Sequence, residues 1–200
     1  MSQKIENRPA EVSAALQPTI ASKIDSDRIA EVGNSSDSVV LSGLTPKVGD
    51  KDIEWRLSGG LYGPTAPKVA ADAADPDAPE SLTCQAADYR KTHIIDGTDT
   101  ELVLDNSKIS ADGTITLDKV ATAENVQADA DKTKRCVSWG WTLTGVAPDG
   151  TKVSATHAPG DPDQIGVITY NPKISTSVTP QLIGPEGGEL ADNVRVWEGL

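Results

Sequence analysis

Short apolar segments, separated by turn-forming pairs, run along nearly the whole chain. The clearest begins at Cys136, where one face carries Val137, Trp139, Trp141 and Leu143 and the other carries Ser138, Gly140 and Thr142. A period of two residues places successive side chains on opposite faces of a β-strand. We therefore predict a half-buried strand here, with two tryptophans in the core.

Similar segments predict further strands at 38–41, 53–61, 101–104, 114–117, 152–156, 165–170 and 174–178. The pairs Asp96-Gly97, Asp112-Gly113 and Asp149-Gly150, which lie between them, are typical of turns. Only 11–16 and 121–130 have a helical pattern, and both are short. The pattern as a whole predicts an all-β fold, an antiparallel β-sandwich.

Two phrases occur twice in the same order. The segment PTIASKI at 18–24 is similar to PKISTSV at 172–178, and DSVVLSGL at 37–44 is similar to DNVRVWEGL at 192–200. The offsets are almost equal, 154 residues (172 − 18) and 155 residues (192 − 37). A fixed offset of this kind indicates tandem repeats. We predict a linker or the end of a preceding repeat at 1–17, one repeat at 18–171, and the first strands of the next repeat at 172–200, exposed or irregularly docked.

The net charge of the chain disfavours some classes of partner. It has 200 residues with 30 acidic and 18 basic side chains, which gives a net charge of −12. Such a field repels phosphate backbones and anionic lipid surfaces, so we expect no nucleic-acid partner. No apolar run approaches the roughly 20 residues that a membrane-spanning helix needs. The acidic stretch 66–80 lacks the ligand order of a calcium loop, and we predict an exposed loop there, with no metal and no cofactor.

The two cysteines, Cys84 and Cys136, leave two alternatives. They are too few for a zinc site, but they could be buried free thiols. The preferred interpretation is a disulfide, which would stabilise the fold by about 4 kcal/mol in the chain-entropy model. A disulfide is typical of a protein outside the cytoplasm.

Several motifs together resemble a known family. They are the Pro-x-Ile-x-(Ser/Thr) phrases that begin at Pro18 and Pro172, the Asp-x-Val-x-x-x-x-Leu phrase from Asp37, the segment 55–64, and the cysteine pair. Over 18–200 the chain is similar to the repeat domains of cell-wall-anchored surface proteins of Gram-positive, especially actinobacterial, cells. The resemblance implies immunoglobulin-like sandwiches in series, which form a monomeric extracellular stalk without turnover activity. Its partners would be the adjacent repeats of the same chain and a host surface ligand.

Some members of that family crosslink themselves through an ester between a threonine of the first strand and a glutamine of the last strand. By resemblance, Ser22 holds the place of the threonine and Gln164 that of the glutamine, with His157 as the base and Asp37 as an acid. Asp161, with Asp163 beside it, would orient the imidazole. The chemistry needs such a set, because a hydroxyl is a poor nucleophile until a base takes its proton and the departing ammonia must be protonated.

This chain departs from the ester pattern in three ways: serine replaces threonine at position 22, two prolines lie between His157 and Gln164, and no glutamate of the acidic pair can be placed. His157 and Gln164 therefore have a second interpretation as ordinary surface residues. A Lys23–Asn171 isopeptide is a rival crosslink.

The alternative function is a module that binds a host glycan or protein through the loop 66–80 or the region of Trp55 and Tyr62. Outward-facing aromatic side chains would favour this binding module, and burial of the aromatics would favour the stalk. A hydrolase built on His157 and Asp161 has little support.

Overall fold

The computed structural model describes residues 16–70, 81–85, 88–89, 92–131, 133–169, 172–179 and 191–198. Its elements are β-strands joined by turns and short 3-10 helices. The strands are β1 Thr19–Ile24, β2 Arg28–Ala30, β3 Gly33–Ser42, β4 Lys47–Val48, β5 Lys51–Asp52, β6 Glu54–Thr65, β7 Lys68–Ala70, β8 Ser81–Thr83, β9 Thr100–Val103, β10 Ile115–Val126, β11 Cys136–Val146, β12 Lys152–His157, β13 Ile165–Thr169, β14 Pro172–Thr179 and β15 Ala191–Glu198. The 3-10 helices are Asn106–Lys108 and Pro162–Gln164.

Two antiparallel sheets make up most of the first unit, which ends at Ile168. The smaller sheet has the strand order β1-β3-β10, and the larger has the order β2-β13-β11-β6-β9. Strand β11 pairs with β6 along one edge, while its other edge is shared between β13 and β12. The predicted all-β class with antiparallel strands is therefore confirmed.

The core lies between these sheets. Its largest fully buried side chains include Trp55, Trp139 and Trp141. The indole N–H groups of Trp139 and Trp141, both on β11, donate hydrogen bonds to Ser35 and Asp37 on β3. The two sheets are thus joined by apolar packing and by buried polar contacts, and the predicted burial of two tryptophans on β11 is confirmed.

Two details of the predicted secondary structure are wrong. The segment 121–130 is not helical, because its first six residues complete β10. Two irregularities in the pairing of β10 with β3 disturb the strict alternation, and Lys119 and Asn125 adopt positive φ angles of 47° and 54° there. Strand β11 is buried on both faces over its first six residues rather than half-buried, because the turn after β12 covers its second face.

Other predicted segments fall partly outside the described residues. Of the segment 11–16, only Leu16 is described, and it is buried. The predicted loop 66–80 contains β7, which pairs with β8, so residues 68–70 form a strand rather than a loop. Residues 71–80 lie outside the description, as do residues 1–15 of the predicted linker.

The predicted disulfide is present in the structure. Cys84 and Cys136 are bonded, with their Cα atoms 5.7 Å apart. Cys136 is fully buried at the start of β11. The bond therefore ties the segment after β8 to the central strand of the larger sheet.

The second unit begins at Thr169, and its strands β14 and β15 pair with each other in an antiparallel hairpin. Its register repeats that of β1 with β3. Ser22 lies opposite Val39, and the corresponding Thr176 lies opposite Val194. Likewise Ile24 lies opposite Asp37, and Val178 lies opposite Asp192. The two sequence phrases thus adopt the same backbone pairing, since β14 and β15 pair with each other as β1 and β3 do.

Among the described residues, no helix has the length and apolar character needed to cross a membrane.

Candidate functional site

Ser22 lies on β1, at the edge of the smaller sheet. Its neighbour in the alternation, Ile24, points into the core, and Ser22 shares that inward face with only 7% of its surface exposed. Among the described strands, none pairs with the opposite edge of β1, which packs instead beside β12 and the 3-10 helix Pro162–Gln164. A buried hydroxyl therefore faces the turn between β12 and β13.

His157 and Gln164 lie at the two ends of that turn, as the last residue of β12 and the last residue of the 3-10 helix. Strand β12 leaves the edge of β11 at His157, opposite Trp141, and β13 rejoins the same edge at Ile165, opposite Ser138. The turn packs closely because Gly140 has no side chain: a Cβ atom at Gly140 would lie 2.9 Å from the Pro159 ring. The N–H of Gly160 also donates to the hydroxyl of Ser138 at 2.7 Å. These contacts hold the turn against the sheet and direct its side chains towards β1.

The three groups of the predicted crosslink are in contact. The carboxamide nitrogen of Gln164 donates a hydrogen bond to Ser22 Oγ, and His157 Nδ1 lies 3.4 Å from the same oxygen. His157 Nε2 lies 3.4 Å from Asp161 Oδ2. Gln164 is fully buried, whereas His157 retains 19% side-chain exposure. A hydroxyl, an imidazole and a carboxamide thus meet at one buried point, with a carboxylate behind the imidazole.

Asp37 completes this cluster from the middle of β3, although the sequence placed it at the start of a strand. It has no exposed surface, and Trp141 Nε1 donates to its Oδ2 at 2.6 Å. Burial raises the pKa of Asp37 to about 6, while the hydrogen bond from Trp141, the nearby Ser22 hydroxyl and the charge of His157 oppose this shift. Asp37 therefore gains a proton at a pH where an ordinary aspartate is ionised.

Two oxygens in the cluster lack partners. Asp37 Oδ1 and Gln164 Oε1 are both buried, and neither has a hydrogen-bond partner among the described residues. A buried acceptor without a partner costs about 1–3 kcal/mol. A proton on Asp37 would convert Oδ1 from an acceptor into a donor. Each unpaired buried group of this kind calls for an explanation, and a role in catalysis is one kind of explanation.

An open cleft of about 630 Å³ adjoins the cluster on the side of His157. Tyr62, Tyr89, Pro159 and Asp161 are among the residues that line it. The imidazole thus lies between the buried hydroxyl and solvent. Small molecules can reach or leave His157 through this cleft, while Ser22 and Gln164 stay covered.

All five predicted crosslink residues, Ser22, Asp37, His157, Asp161 and Gln164, are therefore close together. Asp163 is exposed, and its N–H donates to Asp161 Oδ1, so it supports the carboxylate rather than contacting the imidazole. Of the rival pair, Lys23 is exposed and Asn171 lies outside the described residues.

Sequence reasoning missed the role of Trp141. The alternation along β11 predicted that its indole is buried, but nothing in the sequence indicated which acceptor its N–H would meet. A buried tryptophan N–H nearly always needs such a partner, and that requirement was the available signal.

We expect the buried carboxylate of Asp37 to destabilise the fold near neutral pH. A rise in pKa from 3.8 to about 6 corresponds to roughly 3 kcal/mol, absent below pH 3.8 and complete above about pH 6. In a Ser22→Ala background, Asp37→Asn should therefore raise the free energy of unfolding, relative to its parent, by about 3 kcal/mol more at about pH 8 than at about pH 3.5. Urea unfolding at several pH values measures this, and a difference that is constant with pH would contradict it.

Comparison with known proteins adds no identification. No protein-family model matches the chain, and no curated protein is significantly similar to it.

Proposed function

We propose that this chain is a structural stalk segment of a bacterial surface adhesin, and that its first unit locks itself with an ester between Ser22 and Gln164. The observation that carries the proposal is the buried contact of the Ser22 hydroxyl with both the Gln164 carboxamide and His157. These residues come from opposite ends of the unit, 142 positions apart. A hydroxyl, a base and an amide at one buried point form the set that acyl transfer requires.

The reaction exchanges one bond for another. Ser22 Oγ attacks the side-chain carbonyl carbon of Gln164, and His157 takes the hydroxyl proton. The new C–O bond forms, the bond from that carbon to Nε2 breaks, and His157 returns the proton to the nitrogen, which leaves as ammonia. Asp161 stabilises the imidazolium that exists between these steps, as an acidic partner of a histidine base does.

In this scheme, Asp37 stabilises the side-chain carbonyl oxygen of Gln164 during the reaction. Amides are unreactive unless the carbonyl oxygen is stabilised as negative charge develops on it. In its neutral form, Asp37 offers a proton on Oδ1, and Gln164 Oε1 is the buried oxygen in the cluster that needs a donor. The raised pKa makes the neutral form accessible near pH 6.

Burial makes the reaction a single event rather than a catalytic cycle. Gln164 is part of the fold and cannot be replaced by a second substrate. Ser22 and Gln164 are shielded from water, so an ester between them would resist hydrolysis, while ammonia can depart past His157 into the cleft. The proposal is therefore one turnover per molecule.

The position of the bond suits a stalk. Force applied to the ends of a chain of repeats would enter the first unit at β1 and leave it at β13. An ester from Ser22 on β1 to Gln164 immediately before β13 would carry that force covalently and bypass the hydrogen bonds between strands.

Three further features support a place in an extracellular array. The disulfide suits an oxidising compartment. The hairpin of β14 and β15 has the register of β1 and β3, which favours a second repeat beginning at Pro172. Two antiparallel sheets around one core are compatible with an immunoglobulin-like sandwich, and we propose that class for each repeat, attached to the wall of a Gram-positive cell.

The alternative of a binding module for a host glycan or protein has less support. Trp55, Trp139 and Trp141 are each at most 2% exposed, so they cannot stack on a ligand. Tyr62 is half-buried beside the cleft. These three tryptophans therefore serve the core.

Intact mass in denaturant, after reduction, tests the proposal. The mass of the purified wild-type chain should be one ammonia below the mass calculated from its sequence. The Ser22→Ala chain should have the full calculated mass. Thr19→Ala is the matched control, because it removes an exposed hydroxyl from the same strand and should leave the loss of ammonia intact. Peptide mapping should find the segments around Ser22 and Gln164 covalently joined.

Two results would overturn the proposal. A full mass for the folded wild-type chain would show that no crosslink forms. A loss of ammonia that survives Ser22→Ala and disappears in Lys23→Arg would instead identify the isopeptide with Asn171.

A further inference from the structure

Two neighbouring indoles reach across the core from β11 to β3 in the same manner. Trp139 donates to Ser35 Oγ at 3.0 Å, and Trp141 donates to Asp37 Oδ2 at 2.6 Å. Their rings are stacked, with centroids 5.8 Å apart and planes 2° apart. Both side chains are buried. The two contacts therefore differ mainly in the acceptor, a hydroxyl in one case and a carboxyl group of the crosslinking cluster in the other.

The position of the Trp141 ring is fixed by its surroundings. A Cβ atom at Gly59, opposite Trp141 in strand β6, would lie 2.6 Å from the ring, so glycine leaves the space that the indole fills. The ring also stacks on Trp139. The indole N–H thus donates to Asp37 from a fixed direction. Asp37 cannot rotate its carboxyl group without breaking this buried hydrogen bond.

An indole N–H can donate a hydrogen bond but cannot accept one or take up a proton. Asp37 Oδ2 must therefore remain an acceptor as long as it faces Trp141. A carbonyl oxygen accepts a hydrogen bond more strongly than a protonated carboxyl oxygen does, so the contact with Trp141 favours placing the Asp37 proton on Oδ1, the oxygen that has no partner among the described residues. A carboxyl group without such a neighbour would distribute its proton between both oxygens.

We propose that Trp141 is a positioning residue for ester formation, which reserves Asp37 Oδ1 as the proton donor to the reacting amide by holding Oδ2 as an acceptor. This inference rests on the proposed function, since it assigns a role within the same reaction. Among the described residues, Trp141 makes its side-chain hydrogen bond to Asp37 and not to the Ser22 hydroxyl or the Gln164 amide, so it acts through Asp37.

The charged surroundings of Asp37 are simple. In the part of the chain that the structure describes, His157 on β12 is the titratable side chain that acts on Asp37. The other groups that face it are neutral, namely the Ser22 hydroxyl on β1, the Trp141 indole on β11 and the backbone N–H of Ser38 on β3. Loss of the indole hydrogen bond removes an interaction that favours the ionised form. Neutral Asp37 should then persist to higher pH.

The test compares Trp141→Phe with Trp139→Phe, since each removes one indole from the same stacked pair. Chains recovered unfolded from inclusion bodies are refolded by dilution at a series of pH values, and the loss of ammonia is followed by intact mass. We expect Trp141→Phe to slow ester formation at least about ten-fold, because small displacements of a reacting group carry such penalties. Ester formation should slow as rising pH ionises Asp37, and in Trp141→Phe this decline in rate should occur at higher pH than in the wild-type chain. Trp139→Phe should leave the pH profile unchanged.

A second variant separates positioning from packing. Replacement of Trp141 by the benzothiophene analogue of tryptophan keeps the shape of the ring and exchanges the N–H for sulfur, so it should reproduce the slower rate and shifted profile with an intact fold. A wild-type rate and profile in this variant would overturn the inference while leaving the ester itself established. Absence of ester in the wild-type chain would instead overturn the proposed function. Equal slowing by both phenylalanine variants, with unshifted profiles, would assign Trp141 to packing alone.

Discussion

Under mechanical load, the first unit of the wild-type chain should fail to extend, and Ser22→Ala should unfold. The ester would bridge 142 positions, and an extended chain spans about 3.5 Å per residue. Ser22→Ala should therefore release roughly 50 nm when its disulfide is reduced. With the disulfide intact, 52 positions stay closed, and the remaining 90 (142 − 52) should release roughly 30 nm.

Single-molecule force spectroscopy with handles at both ends measures these lengths. Thr19→Ala, which keeps the reacting hydroxyl, should behave as the wild type does. If the wild-type chain releases the same lengths as Ser22→Ala, no covalent bond carries the load past the strands. That conclusion would hold even if the intact mass showed a loss of ammonia. Reduction of the wild-type chain should change nothing, because Cys84 and Cys136 lie within the segment that the ester closes.

Loss of the disulfide should have the largest effect on equilibrium stability. In a Ser22→Ala background, replacing Cys84 and Cys136 together with alanine should lower the free energy of unfolding by about 4 kcal/mol, because a closed loop of this length restricts the unfolded chain. Chemical denaturation at constant pH measures the difference. Reduction of the parent without mutation should produce a similar loss, which separates the bond from the side-chain volumes.

The ester should mask this effect. In the wild-type background the unfolded state would already be restricted by a larger covalent loop that encloses the disulfide. Removal of the cysteines should then cost less than it does in Ser22→Ala. Equal losses in the two backgrounds would indicate that the larger loop is not closed.

Much of the fold can be predicted from the sequence because a half-buried strand has a local pattern, the alternation of apolar and polar residues. The alternation from Val137 to Leu143 identified β11 and its inward face. The same rule failed in β10, where irregular pairing at Lys119 and Asn125 interrupts the period of two. It also could not predict that β11 is buried on both faces, because the cover comes from a turn that lies later in the chain.

The candidate crosslinking residues are predicted from a family resemblance, and the order of residues along the chain does not show that they meet. The contact of Ser22 with Gln164 depends on β1 lying beside the turn between β12 and β13, which is a property of the tertiary fold. The partner of the Trp141 indole was unpredictable for the same reason. The pKa of Asp37 likewise reflects burial, which no local pattern of residues encodes.

The separation of Ser22 from Gln164 also determines when the proposed lock can close. The reacting set is assembled from β1, β3, β12 and the turn after it, and no single stretch of chain contains it. A chain that passes unfolded through a secretion pore, N-terminus first, would present Ser22 long before Gln164 has emerged. Threading would therefore remain unobstructed, and the covalent bond would form only once the whole unit had reached the far side and folded.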